Sequence, residues 1–306
     1  MGGALDTQQK TGGAQWDQAG SHLRAPGPKD DKYSRGTVLL ATGSPTYPGA
    51  AVLGVLGAAR YGGGMVRYLG PDKCSDLVLG RVPEAVLGGG KFDAAVIGSG
   101  WDGSMATAAD LVARQSAKES KPLVVDAGAL HGVAEWVRAG AQVVATPHPG
   151  EAASIFAQLE PASSASRAEI EADPEVFALR LAELSGAVVV LKSYRTAVAS
   201  PKGELHVFTP PSSWGATPGA GDVLAGAIGA ALAGDSEDVT STVFSAVVVH
   251  GLAAQLACGV VAEDLELTGF AGGPILATDI AAHLGDAVGA LLRPAKTGSK
   301  KELQNR

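Results

Sequence analysis

The chain has 306 residues, 46% of them hydrophobic, 18% charged and 5% aromatic, with a formal net charge of −7 at neutral pH. That length supplies a core for one large α/β domain, and 42 glycines with few aromatics favour close helix–sheet packing over an aromatic-rich β-sandwich. The negative balance argues against a sequence-independent grip on nucleic acid, and Cys74 and Cys258 form neither a metal spacing nor a disulfide framework, as expected in a reducing cytoplasm.

Residues 1–35 read as a disordered extension; from Met1 to about Pro28 there is no apolar segment of the kind a signal peptide carries. Short apolar runs then recur at Thr37–Ala41, Met65–Tyr68, Ala94–Ile97, Leu123–Val125, Gln142–Ala145 and Val188–Leu191. Each is apolar on both faces, as buried parallel strands are. Helical patterns lie between them at Gly49–Tyr61, Met105–Ala117, Leu130–Ala139, Glu151–Ala157 and Ala168–Leu184. Strand alternating with helix predicts an α/β fold: a mostly parallel, doubly wound sheet with helices on both faces. Thr196–Ser200, a turn at Pro201-Lys202-Gly203, and Glu204–Phe208 predict a β-hairpin. Three helices follow, at Asp222–Leu232, Val239–Cys258 and Thr278–Leu292. No linker or repeat divides residues 36–292, which are expected to form a single domain, with 293–306 a disordered tail. No apolar run reads as long enough to cross a bilayer.

In such a sheet ligands sit at the carboxyl ends of the strands. Polar or glycine residues follow the predicted strands there: Gly43-Ser44, Gly98-Ser99-Gly100, Asp126, Thr146-Pro147-His148 and Lys192. The segment Gly219-Ala220-Gly221-Asp222 opens an apolar helix. Glycine N–H groups and the helix dipole favour an anion at such a start, and the adjoining carboxylate suits a hydroxyl about to be phosphorylated. The same dipole is expected to favour the charged form of Asp222 and make it a weak base.

Gly98-Ser99-Gly100-Trp101-Asp102-Gly103 matches the dinucleotide fingerprint, with Asp126 ending the next strand. It supports a rival reading as a nicotinamide-dependent oxidoreductase, but it leaves Gly219–Asp222 without a role. Lys192-Ser193-Tyr194-Arg195-Thr196 reads either as a solvated turn or as a segment flanking a nucleotide. In Thr146-Pro147-His148-Pro149-Gly150-Glu151 two prolines stiffen the presentation of a histidine, which favours a ligand contact over a core role. Gly43-Ser44-Pro45 with Pro48-Gly49-Ala50-Ala51 is either a ligand turn or a helix cap. His250 reads as core, with a polar bond near the site. No Walker loop, G-x-S-x-G or H-E-x-x-H motif occurs, which argues against P-loop enzymes, α/β serine hydrolases and zinc peptidases.

Taken in order, these motifs resemble the ribokinase-like superfamily and, within it, the ADP/ATP-dependent NAD(P)H-hydrate dehydratases, a carbohydrate-kinase-like family. The ordered set runs through Thr42-Gly43-Ser44, Pro48-Gly49-Ala50-Ala51, Val96-Ile97-Gly98-Ser99-Gly100, Val125-Asp126-Ala127-Gly128, Pro147-His148-Pro149-Gly150-Glu151, Leu191-Lys192 and Gly221-Asp222-Val223-Leu224-Ala225-Gly226. The resemblance implies that Ala50, Gly100, His148 and Asp222 contact hydrated NADH or NADPH. It implies that Lys192, Ser193, Tyr194, Arg195, Thr196, Gly219, Ala220 and Gly221 hold ADP or ATP with Mg²⁺, and that Asp222 is catalytic. It also implies a homo-oligomer; the cysteines, the charge balance and the apolar runs give the expectation of a cytoplasmic protein with no nucleic-acid or membrane partner. The alternative within the same fold is a small-molecule kinase acting on a sugar or a vitamin precursor.

Overall fold

A computed structural model describes residues 18–102, 106–210, 212–235, 237–259, 262–263, 266–267 and 272–292. The apolar runs and the hairpin, with a two-residue edge strand at Val86–Leu87 that the sequence pattern does not mark, form one nine-stranded sheet: β1 (Thr37–Ala41), β2 (Met65–Tyr68), β3 (Val86–Leu87), β4 (Ala94–Ile97), β5 (Pro122–Val125), β6 (Gln142–Ala145), β7 (Val188–Leu191), β8 (Thr196–Ala199) and β9 (Leu205–Phe208). Their spatial order is β3-β2-β1-β4-β5-β6-β7-β8-β9. Pairing is parallel from β3 to β7, and the β8–β9 hairpin adds two antiparallel strands.

Residues along each strand alternate between two cores. Val38, Leu40, Val96, Val124 and Val144 face one, together with α1 (Pro48–Tyr61), α8 (Ala220–Gly234), α9 (Val239–Ala257) and α10 (Ala277–Leu291). Leu39, Ala41, Ile97, Leu123 and Val125 face the other, whose helices are α3 (Ala106–Glu119), α4 (Val133–Arg138), α5 (Pro149–Leu159), α6 (Arg167–Ala172) and α7 (Pro174–Ser185). Two covered faces explain why the strands read as continuously apolar.

Three differences from expectation have local causes. A further helix, α2 (Asp72–Arg81), buries only Cys74 and Val78 and so carries almost no apolar period. The expected Ala168–Leu184 helix is two helices, broken at Asp173-Pro174, where proline cannot continue the preceding hydrogen-bond ladder. The expectation of a disordered extension is revised for residues 18–35: Ala19 is fully buried, its carbonyl accepts from Ser245 Oγ at 3.0 Å, and Gln18 bonds His206 at 3.1 Å. Residues 1–17 and 293–306 lie outside the described residues, as does Gly103.

By length and composition α9 could cross a membrane, contrary to the expectation that no run is long enough, but 83% of its apolar window is buried inside the fold. Glycines let α1 and α8 close to backbone contact. A Cβ on Gly57 would lie 2.2 Å from the Val223 carbonyl oxygen, and one on Gly226 would lie 2.0 Å from that of Gly54. This contact fixes the height of the first turn of α8, which carries Asp222. A cavity of about 280 Å³ lies at the other end of the sheet, between residues 22–35 and the carboxyl-terminal ends of α1, α8 and α10. None of the candidate site residues lines it.

Candidate active site

Strand order reverses around β1, which lies between β2 and β4. A crevice opens at the carboxyl ends of strands at such a reversal. There the Gly43 N–H donates to the Ser99 carbonyl at 2.7 Å, and a Cβ on Gly100 would lie 2.5 Å from Ala50 Cβ. The structure thus brings Gly43, Ala50 and Gly100 together at the switch point. His148 caps α5: its Nδ1 accepts from the N–H groups of Gly150 and Glu151 at 3.0 and 3.1 Å, while Glu151 Oε2 accepts from the His148 N–H at 2.8 Å. An Nδ1 that accepts twice leaves the proton on Nε2, and the imidazole is 55% exposed. The ring is neither core nor free to swing.

Asp126 leaves the end of β5 and is 2% exposed. Its Oδ2 accepts from Ser99 Oγ at 2.8 Å, and its Oδ1 accepts from Thr146 Oγ1 and Lys192 Nζ, both at 2.7 Å. Burial pushes its carboxyl up, but the Lys192 charge and these hydrogen bonds outweigh burial and hold it below the usual carboxylate range. Lys192 stays charged in turn, because Asp126 and other nearby acids overcome the cost of burying it. This arrangement also disposes of the dinucleotide fingerprint. That reading needs an acid free to accept from a ribose hydroxyl, and Asp126 is buried and committed to three protein donors.

Gly219, at φ +89°, precedes α8 in the left-handed conformation, and a Cβ there would strike Leu53 Cδ1 at 2.4 Å. A Cβ on Gly221 would lie 3.3 Å from Lys192 Nζ, which places the ammonium directly against this turn. Asp222 corrects the sequence-based expectation. Its carboxyl is pushed up to about 6, first by burial and then by the negative charge of Asp126, with Lys192 offsetting part of the rise. Burial and a like charge outweigh the helix dipole, and they make Asp222 a better base than its position in the helix implies.

His250, on α9, has Nε2 3.0 Å from the Ala220 carbonyl oxygen. Burial pushes its imidazole down to about 4, so the ring is neutral and donates Nε2–H to that carbonyl. It braces the glycine turn from behind. Of the 192–196 segment, Lys192 alone is shown against Gly221. Arg195 pairs with Glu175 at the start of α7, Thr196 Oγ1 donates to the Ser193 carbonyl at 3.2 Å, and Tyr194 is exposed.

The family model for carbohydrate kinases of the NAD(P)H-hydrate dehydratase type matches residues 38–260. The chain belongs to the NAD(P)H-hydrate dehydratase family. It is 40% identical over 218 residues to the bifunctional NAD(P)H-hydrate repair enzyme Nnr of Mycobacterium tuberculosis, covering 68% of this chain and 43% of that protein. It is 34% identical over 250 residues to the ADP-dependent (S)-NAD(P)H-hydrate dehydratase of Xanthomonas campestris, covering 74% of this chain and 82% of that one. The chain spans less than half the length of the bifunctional relative. The crystal structure of the ADP/ATP-dependent NAD(P)H-hydrate dehydratase of Bacillus subtilis, co-crystallised with ATP and Mg²⁺, superposes with a TM-score of 0.73 at 26% identity, covering 89% of this chain and 96% of that one.

For a dehydratase-family site, two contributors carried weak or incomplete sequence signals. His250 sits in a continuous apolar helix, where nothing but its own polarity marks it. Asp126 stood out as a polar strand end, but its joining to Lys192 across two strand positions is a property of the fold. Among the described residues no group of three or more His, Cys, Asp or Glu is placed to hold a metal ion. A Mg²⁺ carried on the nucleotide is held largely by the phosphates and water, so it needs no dedicated protein cluster.

Proposed function

We propose that this chain dehydrates hydrated NADH or NADPH at the expense of ADP or ATP. Phosphoryl transfer to the hydrate hydroxyl is followed by elimination of phosphate. The observation that carries the reading is Asp222, a carboxylate pushed up to about 6 in the first turn of α8, beside the Gly219–Gly221 amides and the Lys192 ammonium. Asp222 takes the hydroxyl proton as that oxygen attacks the terminal phosphorus and the bond to the bridging nucleotide oxygen breaks. The turn's N–H groups and Lys192 stabilise charge on the migrating group, where positioning and electrostatics supply most of the catalysis. Mg²⁺, carried on the nucleotide, would supply further charge neutralisation. The ring nitrogen's lone pair then expels phosphate, and the ring carbon next to the one that bore it gives up a proton to the departing phosphate or water, which restores the dihydropyridine. Phosphate leaves without a protein acid.

In this reading Ala50 and Gly100 line the nicotinamide side, and the exposed face of His148 presents Nε2–H to the substrate. The segment from Lys192 to Thr196, with Gly219, Ala220 and Gly221, holds the nucleotide. We also infer cytoplasmic residence and a homo-oligomer. The buried free thiols Cys74 and Cys258 support the former, and exposed Val86 and Leu87 on edge strand β3 support the latter. The test incubates the protein with hydrated NADH, Mg²⁺ and either ADP or ATP. Return of reduced-nicotinamide absorbance with matching phosphate release is expected. A stable phosphorylated product would instead make the protein a kinase, and hydride exchange without nucleotide cleavage would make it an oxidoreductase.

A further inference from the structure

Ser99, Asp126, Thr146 and Lys192 follow β4, β5, β6 and β7, four consecutive neighbours in the sheet, and all four meet at one carboxylate. Two hydroxyls and an ammonium on the two oxygens leave that group no freedom to rotate. At 2% exposure it has no access to a ligand. Its effect on any chemistry therefore passes through Lys192. The lysine backbone is held as well, its N–H donating to the Pro147 carbonyl at 2.9 Å. The ammonium has three donors, and among the described residues Asp126 is its one hydrogen-bonding acceptor, at 2.7 Å. The rest of the ammonium lies against Gly221, at the mouth of the anion turn.

We propose that Asp126 is a positioning residue for phosphoryl transfer, clamping the Lys192 ammonium beside Gly221 so that it faces the transferring phosphate and stays off the Asp222 carboxylate. The proposal rests on the roles given above to Asp222 and Lys192. Three acids, Asp126, Glu151 and Asp222, act on the Lys192 charge, and that charge in turn acts on the neutral imidazole of His250 on α9. Without Asp126 the long, flexible lysine has two acids left to pair with. Pairing with Asp222 would occupy the lone pairs that must take the hydroxyl proton and would withdraw the cation from the phosphate. The glycine at 221 belongs to the same device, since a side chain there would meet the ammonium at the position the clamp sets.

The test compares wild type, D126N, K192M and the double variant. D126N is expected to lower kcat about a hundredfold, as misplacement of a charge-stabilising group does, while AMP affinity stays within about threefold. The acid limb of its pH–rate profile is expected below that of the wild type, because losing the Asp126 charge and gaining Lys192 both favour ionised Asp222. In the K192M background D126N is expected to add less than about threefold, since the two residues act as one unit. A kcat within about threefold of wild type, fully multiplicative losses in the double variant, or an unmoved acid limb would each overturn the clamp. If D126N does not fold, the S99A/T146A pair keeps the charge but loosens it, and a kcat fall of about tenfold is expected there; an unchanged kcat overturns the proposal. Calorimetry reads the same clamp without turnover. The wild type's preference for ATP–Mg²⁺ over AMP should disappear alike in D126N and K192M. Retention of that preference in D126N counts against Asp126 alone, whereas an inert wild type in the hydrate assay counts against the reaction.

Discussion

Replacing Asp222 with Asn keeps the shape of the side chain and removes its charge, so it separates what the carboxylate does for chemistry from what it costs the fold. In the native protein the group is pushed up to about 6 from an ordinary 3.8. Between those values the native state holds a proton that the unfolded chain has released. Stability therefore falls as pH rises through that window, and the full penalty persists at neutral pH. A rise of that size corresponds to roughly 2–3 kcal/mol, and partial solvent access to Asp222 brings it to about 2 kcal/mol. D222N is thus expected to melt about 3 °C higher than wild type at pH 7.5, with the difference vanishing below about pH 4. Turnover is expected to fall by about 10²–10⁴, the usual worth of a positioned base. Wild-type kcat/KM should decline below a pH of about 6, where Asp222 takes up its proton. Scanning calorimetry across pH reads the first effect, and coupled absorbance and phosphate release read the second. Near-normal turnover in D222N would refute the base, and equal melting temperatures at pH 7.5 would refute the burial argument.

Two further outcomes test the scaffold. G226A puts a Cβ 2.0 Å from the Gly54 carbonyl oxygen, an atom that cannot step aside alone; a loss of about 1–3 kcal/mol is expected, read as a lower urea midpoint at unchanged m-value. An unchanged midpoint would mean that α1 and α8 are not locked together. H148A removes the cap of α5 and is expected to cost about 1 kcal/mol, while H148N restores the cap. If Nε2–H meets the substrate, both variants should raise the KM for the hydrate, and a normal KM in H148N would leave the histidine with only its capping role.

Much of the scaffold was legible because the strands are short, apolar on both sides and punctuated by glycine or a polar residue. Thr37–Ala41, Met65–Tyr68, Ala94–Ile97, Gln142–Ala145 and Val188–Leu191 take the expected bounds. The helix at Asp72–Arg81 was not legible, since it rests on the fold through two side chains and a short period of that kind resembles a loop. Gly219–Asp222 and Lys192 were visible as residues that end strands or begin helices. The protonation of Asp222 was not. Sequence supplies the local helix dipole, whereas the dominant causes, burial and the Asp126 charge, arrive only when distant segments pack. The pairing of Arg195 with Glu175 is hidden for the same reason.

The four strand ends that meet at Asp126 also bear on how the sheet assembles. Successive residues of a strand point to opposite faces, so a slip of one residue in β4 or β6 would carry Ser99 or Thr146 away from the carboxylate. A slip in β7 would remove the ammonium and leave a buried acid unpaired, at a cost of several kcal/mol. Of the alignments these hydrophobic strands could sample, the one that satisfies Asp126 is also the one that sets Lys192 beside Gly221. A chain that pairs its central strands wrongly is penalised before any ligand arrives, and correct assembly and a competent site become one condition.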